Sequence, residues 1–324
     1  MVSLITTPLS SSGIKDVYIT EKGGFAYIVT SAGVDVISLV NTTKVVASGK
    51  LPNTPTAITA NWQDSSGQLF IGTVSSGIFA MNYHRSRSGD FTEELQQRFT
   101  TSTAPPISSN KINDLDTLSG SLLVGTDAGV DFIYDGTNYS TRALISGSSA
   151  VHLTTGGAGY WTTVSGNQGE VEVNYDLIAT TGTNILGVDF SYSNSSNPSL
   201  PGEPPSDIAI SELSGSPIAL AFSTASGVLV TEELQFNEAS ARRKTFLSED
   251  ASSVDFSDPS SFATGRVYVL VTGTLGLRVF NLEDSSLSDI HPQENVNLPF
   301  TVRASRDQFV ASGTNTIIRT TGLA

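Results

Sequence analysis

The sequence predicts an all-β chain folded as a single β-propeller spanning residues 1–324, with seven four-stranded blades fitting the count and six or eight as the alternatives. Three observations predict it. An apolar strand–turn–strand unit recurs at intervals of about 40 to 60 residues, the period of propeller blades rather than of helical solenoids. Charged residues make up only 15% of the chain, while Ser, Thr, Gly and Asn abound; this is the make-up of strands and tight turns, not of helices. Finally, a strand-like segment precedes the first unit just where the last unit runs out of chain.

The units are read in order. The first is Gly24-Phe-Ala-Tyr-Ile-Val-Thr30, a turn through Gly33, then Val34-Asp-Val-Ile37. The second is Gly67-Gln-Leu-Phe-Ile-Gly-Thr73, a turn through Gly77, then Ile78-Phe-Ala-Met81. The third, Gly120 to Asp135, has the same plan, with Gly125-Thr126 before the turn and Gly129 closing it. A fourth, degraded unit is Gly159–Thr163, a Gly166–Gly169 turn and Glu170–Tyr175. The fifth runs Pro217–Phe222 then Val228–Val230, the sixth Gly265–Val271 then Leu277–Phe280, and the seventh Gln308–Ala311 then Thr316–Arg319. The first strand of each pair is an unbroken apolar run, as expected when neighbouring blades cover both faces. The second tends to alternate, as in Val34-Asp35-Val36. The glycine between them supplies the turn conformation that a hairpin needs.

An inner strand precedes each pair: Lys15–Thr20, Ile112–Asp116, Val151–Thr154, Asp207–Ile210 and Ser253–Phe256. An outer strand follows: Lys44–Ala47, Ser140–Ile145 and Lys244–Leu247. The last unit lacks an outer strand, and Ser3–Thr7 has no blade of its own. The N-terminal strand is therefore expected to complete the seventh blade and leave no open sheet edge at the seam. Two insertions interrupt the pattern. Residues 83–106 include Thr92–Phe99, a short helix or a long outer strand; residues 182–205 end in Ser193–Pro205, which has loop composition. Long loops on a rigid scaffold are often where partners bind.

Net charge is −14, with 17 Lys+Arg against 31 Asp+Glu. That argues against nucleic acid or an anionic membrane as partner, since both require clustered cations. There is no cysteine, so disulfides and thiolate metal sites are excluded. Met1–Pro8 lacks the basic and apolar regions of a secretory signal, and no window has the apolar length needed to span a bilayer.

The pattern of Gly, apolar residues, Gly-Thr, a short turn, Gly, apolar residues and Tyr-Asp resembles the two-component-regulator propeller repeat. Residues 67–79 and 120–135 match that repeat best; Phe70 in one and Leu123 in the other occupy the position usually held by an aromatic. The resemblance implies the propeller fold. The signal peptide, membrane span and kinase region of that family's sensors have no counterpart here.

Candidate chemistry is sparse. Of the three histidines, His152 falls on an inner strand, while His84 and His291 fall in outer regions. The sequence has no nucleophile elbow, zinc-binding His pair or phosphate loop. Asp16, Asp114, Asp207 and Asp255 sit at similar places on inner strands, each before an apolar residue. If they gather at one mouth of a central channel, four carboxylates favour a bound cation, Ca²⁺ being the usual choice for hard oxygen ligands. The bland alternative is that they satisfy backbone N–H groups at the turns entering those strands. Trp62 and Trp161 lie far apart in sequence; Tyr160, Tyr175 and Tyr192 are candidates for a sugar platform, although burial between blades explains them equally well.

On these grounds the expected function is a non-catalytic interaction module, not an enzyme. A cysteine-free, acidic, Ser/Thr/Gly-rich chain fits a virion protein of a tailed phage, made in the host cytoplasm, binding other structural proteins of a larger assembly or a cell-surface glycan. A cytoplasmic location is the alternative. The competing functions are a channel-metal-dependent hydrolase or lyase using the four aspartates, and a glycan-binding propeller.

Overall fold

A computed structural model describes residues 3–9, 13–19, 25–38, 45–63, 66–84, 96–118, 121–134, 140–146, 152–163, 170–181, 184–189, 194–196, 206–210, 220–225, 227–231, 243–245, 251–256, 268–273, 276–281, 287–291, 302–305, 308–312 and 316–321. The chain divides into two compact units. One comprises Leu4–Leu153 and Ser312–Arg319; the other comprises Met1–Ser3, Thr154–Ala311 and Thr320–Ala324.

All the regular structure among the described residues is strand. After β1 (Ser3–Pro8), the strands β2 (Asp16–Ile19), β3 (Phe25–Thr30), β4 (Gly33–Ser38) and β5 (Val45–Lys50) hydrogen-bond in chain order into one sheet. The same order holds for β6 (Pro55–Gln63), β7 (Ser66–Thr73), β8 (Ile78–His84) and β9 (Gln96–Phe99). It holds again for β10 (Ile112–Leu118), β11 (Ser121–Thr126), β12 (Gly129–Tyr134) and β13 (Ser140–Ser146). A fourth sheet is β14 (His152–Thr163), β15 (Glu170–Thr181), β16 (Asn184–Asp189) and β17 (Asn194–Ser196). A fifth is β18 (Asp207–Ile210), β19 (Leu220–Thr224), β20 (Gly227–Thr231) and β21 (Arg243–Thr245). A sixth is β22 (Ala251–Phe256), β23 (Tyr268–Gly273), β24 (Gly276–Asn281) and β25 (Leu287–His291). The chain continues through β26 (Val302–Ser305), β27 (Gln308–Ser312) and β28 (Thr316–Thr321).

Each sheet is an antiparallel meander whose central hairpin is tight. In β3–β4 the register runs to Thr30 opposite Gly33, in β11–β12 to Thr126 opposite Gly129, and in β19–β20 to Thr224 opposite Gly227. The threonine before the turn has a definite task. Thr73 Oγ1 donates to the Gly77 carbonyl at 2.8 Å and accepts from the Ser76 N–H at 2.9 Å. Thr126 repeats this, donating to the Gly129 carbonyl at 3.0 Å and accepting from the Ala128 N–H at 3.1 Å. The recurrent Gly-Thr of the sequence is therefore a hairpin staple, in which one hydroxyl serves backbone groups the short turn would leave unpaired.

The apolar runs are explained by the β7 strand. Leu69 and Ile71 project into a core shared with Tyr27, Val29, Val34 and Val36 of the preceding sheet. Phe70, between them, joins Ile112, Leu115, Leu122 and Val124 of the following sheet. Successive side chains alternate between opposite faces of a strand, so a strand covered on both faces must be apolar at every position. Phe70 and Phe99 meet within the second core with ring centroids 6.4 Å apart. Burial of each such large side chain contributes on the order of 2 kcal/mol.

The alternation in β4 does not leave its polar residue in water, nor is the aspartate of β12 wet: Asp35 and Asp131 are each 1% exposed. Of the two readings of Thr92–Phe99, a short helix or a long outer strand, Gln96–Phe99 is an outer strand. One expectation changes. The fourth repeat is shifted by a strand. Residues 152–163 form one long inner strand, 170–181 the second, and residues 184–189 and 194–196 supply the third and outer strands, so part of the supposed 182–205 insertion is strand. In sequence, Gly156-Gly-Ala-Gly159 reads as a break between two strands, but glycine only weakens a strand and does not end it. Ser193–Pro205 lies outside the described residues apart from Asn194–Ser196.

Candidate functional site

The antiparallel register places the start of each inner strand at the hairpin-turn end of its sheet. Asp16 faces Val29, Ala57 faces Gly72, Asp114 faces Gly125, Asp207 faces Ser223 and Ser253 faces Thr272. Each of these partners stands just before the last residue ahead of a turn, so the five occupy equivalent positions. Three of the four aspartates singled out from the sequence, Asp16, Asp114 and Asp207, share this opening position. Asp255 does not: it faces Leu270, two residues farther along β22, and Ser253 holds the equivalent place. The spacing "Asp before apolar" could not reveal this, because Ser253 and Asp255 each stand before an apolar residue, Val254 and Phe256.

The carboxylates are engaged with backbone. Asp16, 7% exposed, accepts from its neighbour Val17 N–H through Oδ1 at 2.8 Å. Its Oδ2 accepts from Ile58 N–H on β6, at 3.0 Å. Asp207, also 7% exposed, accepts from Ile208 N–H at 3.0 Å through Oδ1. Its Oδ2 takes the Ser253 hydroxyl and the Val254 N–H of β22, the latter at 3.4 Å. Asp114 Oδ1 accepts from Leu115 N–H at 2.8 Å. Asp16 and Asp114 lie in one compact unit, Asp207 and Asp255 in the other. Among the described residues no group of three or more His, Cys, Asp or Glu is arranged to hold a metal ion.

A carboxylate the sequence reading passed over is Asp131, buried in β12. Its Oδ2 accepts from Ser108 N–H at 2.7 Å and its Oδ1 from Ser108 Oγ at 2.6 Å. This ties the connection 100–111 to the sheet. The signal was present: an aspartate inside the otherwise apolar Val130-Asp-Phe-Ile133 has both faces covered and must find partners. The hairpin end of the second sheet is hydroxyl- and amide-rich. Asn53 Nδ2 donates to Ser75 Oγ at 2.6 Å and to Ser76 Oγ at 2.8 Å, and Gln97 Nε2 donates to the Ser76 carbonyl at 2.7 Å.

The histidines fall at different places within their sheets. His152 is the first residue of the inner strand β14. His291 ends the outer strand β25 opposite Leu277, near the turn between Gly273 and Gly276. His84 ends β8 opposite Ser66, whereas the turn lies at the other end of that strand. Trp62, at the far end of β6, and Trp161, late in β14, lie on inner strands. Tyr160 and Tyr175 lie on β14 and β15, and Tyr192 lies outside the described residues.

No protein-family model matches the chain, and no curated protein does. Solved structures do. Selenomethionine-substituted virginiamycin B lyase from Staphylococcus aureus is similar at TM-score 0.63 and 13% identity, over 100% of both chains. A catalytically inactive histidine-to-alanine form of that lyase, with quinupristin, gives 0.64 and 13%, again over 100% of both. The likeness establishes a β-propeller-type fold built of all-strand sheets. It also corrects the expectation of a non-enzyme: these structures sharing the fold from end to end are of an enzyme, so the scaffold gives no ground for excluding catalysis. The tailed-phage reading finds no support in them.

Proposed function

We propose that the chain is a propeller-fold enzyme of the lyase kind, acting on a small molecule at the end of the fold where the inner strands begin. The observation that carries this is the likeness to virginiamycin B lyase over the full length of both chains. We also propose that the sheets are blades of a seven-bladed propeller closed by the N-terminal strand. The strand order β1-β28-β27-β26 supports that closure.

A lyase breaks a bond by elimination. A base removes a proton beside the leaving group, and the electron pair left behind forms the new double bond as the leaving group departs. The similar lyase is inactive when one of its histidines becomes alanine. Of the three histidines here, His291 lies near a hairpin turn but on an outer strand, and His152 is the one at the start of an inner strand, where the ligand is proposed to bind. Imidazole titrates near neutral pH, which suits it to proton abstraction. His152 is thus the proposed base. The opening-position aspartates are not assigned a chemical step, because Asp16 and Asp207 already accept backbone N–H groups through both oxygens.

The test is to incubate the purified chain with quinupristin and follow products by mass spectrometry. Elimination cleaves without adding water, whereas hydrolysis adds the mass of one water. Turnover without water uptake that falls by about a hundredfold or more in His152→Ala is the expected result. Turnover untouched in His152→Ala removes the proposed base, and no turnover of quinupristin counts against the lyase reading.

A further inference from the structure

We propose that the aspartate at the opening position of an inner strand is a clasp between successive sheets, its far oxygen accepting a backbone N–H of the next inner strand. The same coincidence of register occurs twice in the molecule. Asp16 occupies the opening position of β2, and the N–H it accepts belongs to Ile58. Ile58 is the residue immediately after Ala57, which holds the opening position of β6. Asp207 occupies the opening position of β18, and the N–H it accepts belongs to Val254. Val254 immediately follows Ser253, which holds the opening position of β22. The two clasps lie in different compact units, have different residues around them, and still use the same atom at the same step.

The geometry has a chemical reason. The first residues of an inner strand pair on one side only, with the second strand of their own sheet, so the opposite backbone edge needs another acceptor. A short side chain with two oxygens can cap its own following N–H and reach the neighbour as well. At the second clasp the arrangement is extended, because Ser253 adds its hydroxyl to the same Asp207 oxygen. Residues 58 and 254 contribute only their backbone N–H, so the clasp accepts any residue but proline at either position.

The experiment is residue-resolved amide hydrogen exchange on the intact chain. In the wild type, the Ile58 and Val254 amides exchange slowly, at the level of ladder-bonded strand amides. In Asp16→Ala, Ile58 loses protection by about tenfold or more while Val254 keeps it, and Asp207→Ala gives the reverse pattern. Asp16→Asn, whose amide nitrogen cannot accept, loses protection at one of Val17 and Ile58 only. Rapid exchange at Ile58 and Val254 in the wild type overturns the clasp without any variant, which covers the case in which a substitution prevents folding. An equal loss of protection throughout the sheet in Asp16→Ala also overturns it. The wild type is measured again with Ca²⁺ alone added. Exchange unchanged by the ion is the expected result, and protection of these amides that changes with Ca²⁺ and does so only while Asp16 is present makes the carboxylate a cation ligand instead.

Discussion

At the scale of single residues, two glycines explain why the repeat cannot drift freely. Gly77 has φ +72°, and a Cβ placed on it would strike the Phe99 carbonyl oxygen. Its N–H donates to the Asn110 carbonyl at 2.9 Å, so it cannot move aside. Gly72 has ordinary backbone, but a Cβ there would run into the Ile112 side chain of the following sheet. Gly77→Ala should therefore cost about 2 kcal/mol or more, from left-handed strain and a backbone collision together. Gly72→Ala should cost about 1 to 3 kcal/mol, the usual range for overpacking. Both are measured as shifts in the urea midpoint at unchanged slope. Gly13→Ala is the comparison: its φ is +77° but its nearest neighbour is the Ser31 side chain at 3.3 Å, so the strain is joined only by a small displacement of Ser31 and not by a backbone collision. The sequence advertised both Gly72 and Gly77 through the Gly-Thr…Gly spacing. It advertised only the turn, however. That Gly72 serves inter-sheet contact depends on Ile112, some forty residues away in the chain, and no local pattern encodes it.

At the scale of elements, strands were legible wherever both faces are packed, because burial on both sides leaves a run of apolar residues with a staple at its end. The third repeat shows this at Ser121–Thr126 and Gly129–Tyr134. The fourth repeat was misread because its inner strand contains Gly156, Gly157 and Gly159 and spans twelve residues, so its second half imitated a separate strand. The buried aspartates misled in another way. In β4 and β12 they look like the polar half of an alternating strand, whereas Asp131 is an anchor for the preceding connection. Asp131→Ala should release residues 100–111 and lower stability by about 2 kcal/mol, since hydrogen bonds to a charged group are lost. Limited proteolysis checks the location: cleavage should appear within 100–111 in Asp131→Ala and in Ser108→Pro, and not in the wild type. Cleavage elsewhere, with that connection still protected, would show that Asp131 does not anchor it.

At the scale of the whole molecule, the propeller-type fold was legible because it is repeated, and function was not, because function rests on particular side chains that no repeat supplies. Composition favoured a particle protein, but an acidic, hydroxyl-rich surface follows from strands and turns facing water whatever the molecule does. If the N-terminal strand closes the fold as proposed, removing residues 1–8 leaves the last sheet one strand short. Urea unfolding of that truncation should then begin earlier and lose its single sharp transition, whereas an unchanged midpoint would place β1 outside the closure. The joints between sheets carry one more consequence, for module exchange. Asp16 asks only for an amide from its neighbour, so a foreign repeat grafted after it meets the requirement with almost any residue except proline at position 58. The joint at Gly72 fits one side chain into one gap, so a graft there succeeds only if donor and recipient are cut from the same pair. Shuffled versions of this chain cut ahead of β6 should therefore keep the Asp16 clasp with almost any donor and need to match only the apolar core of Tyr27, Val29, Leu69 and Ile71, whereas those cut ahead of β10 must also match the fit of Ile112 against Gly72 and should fail more often.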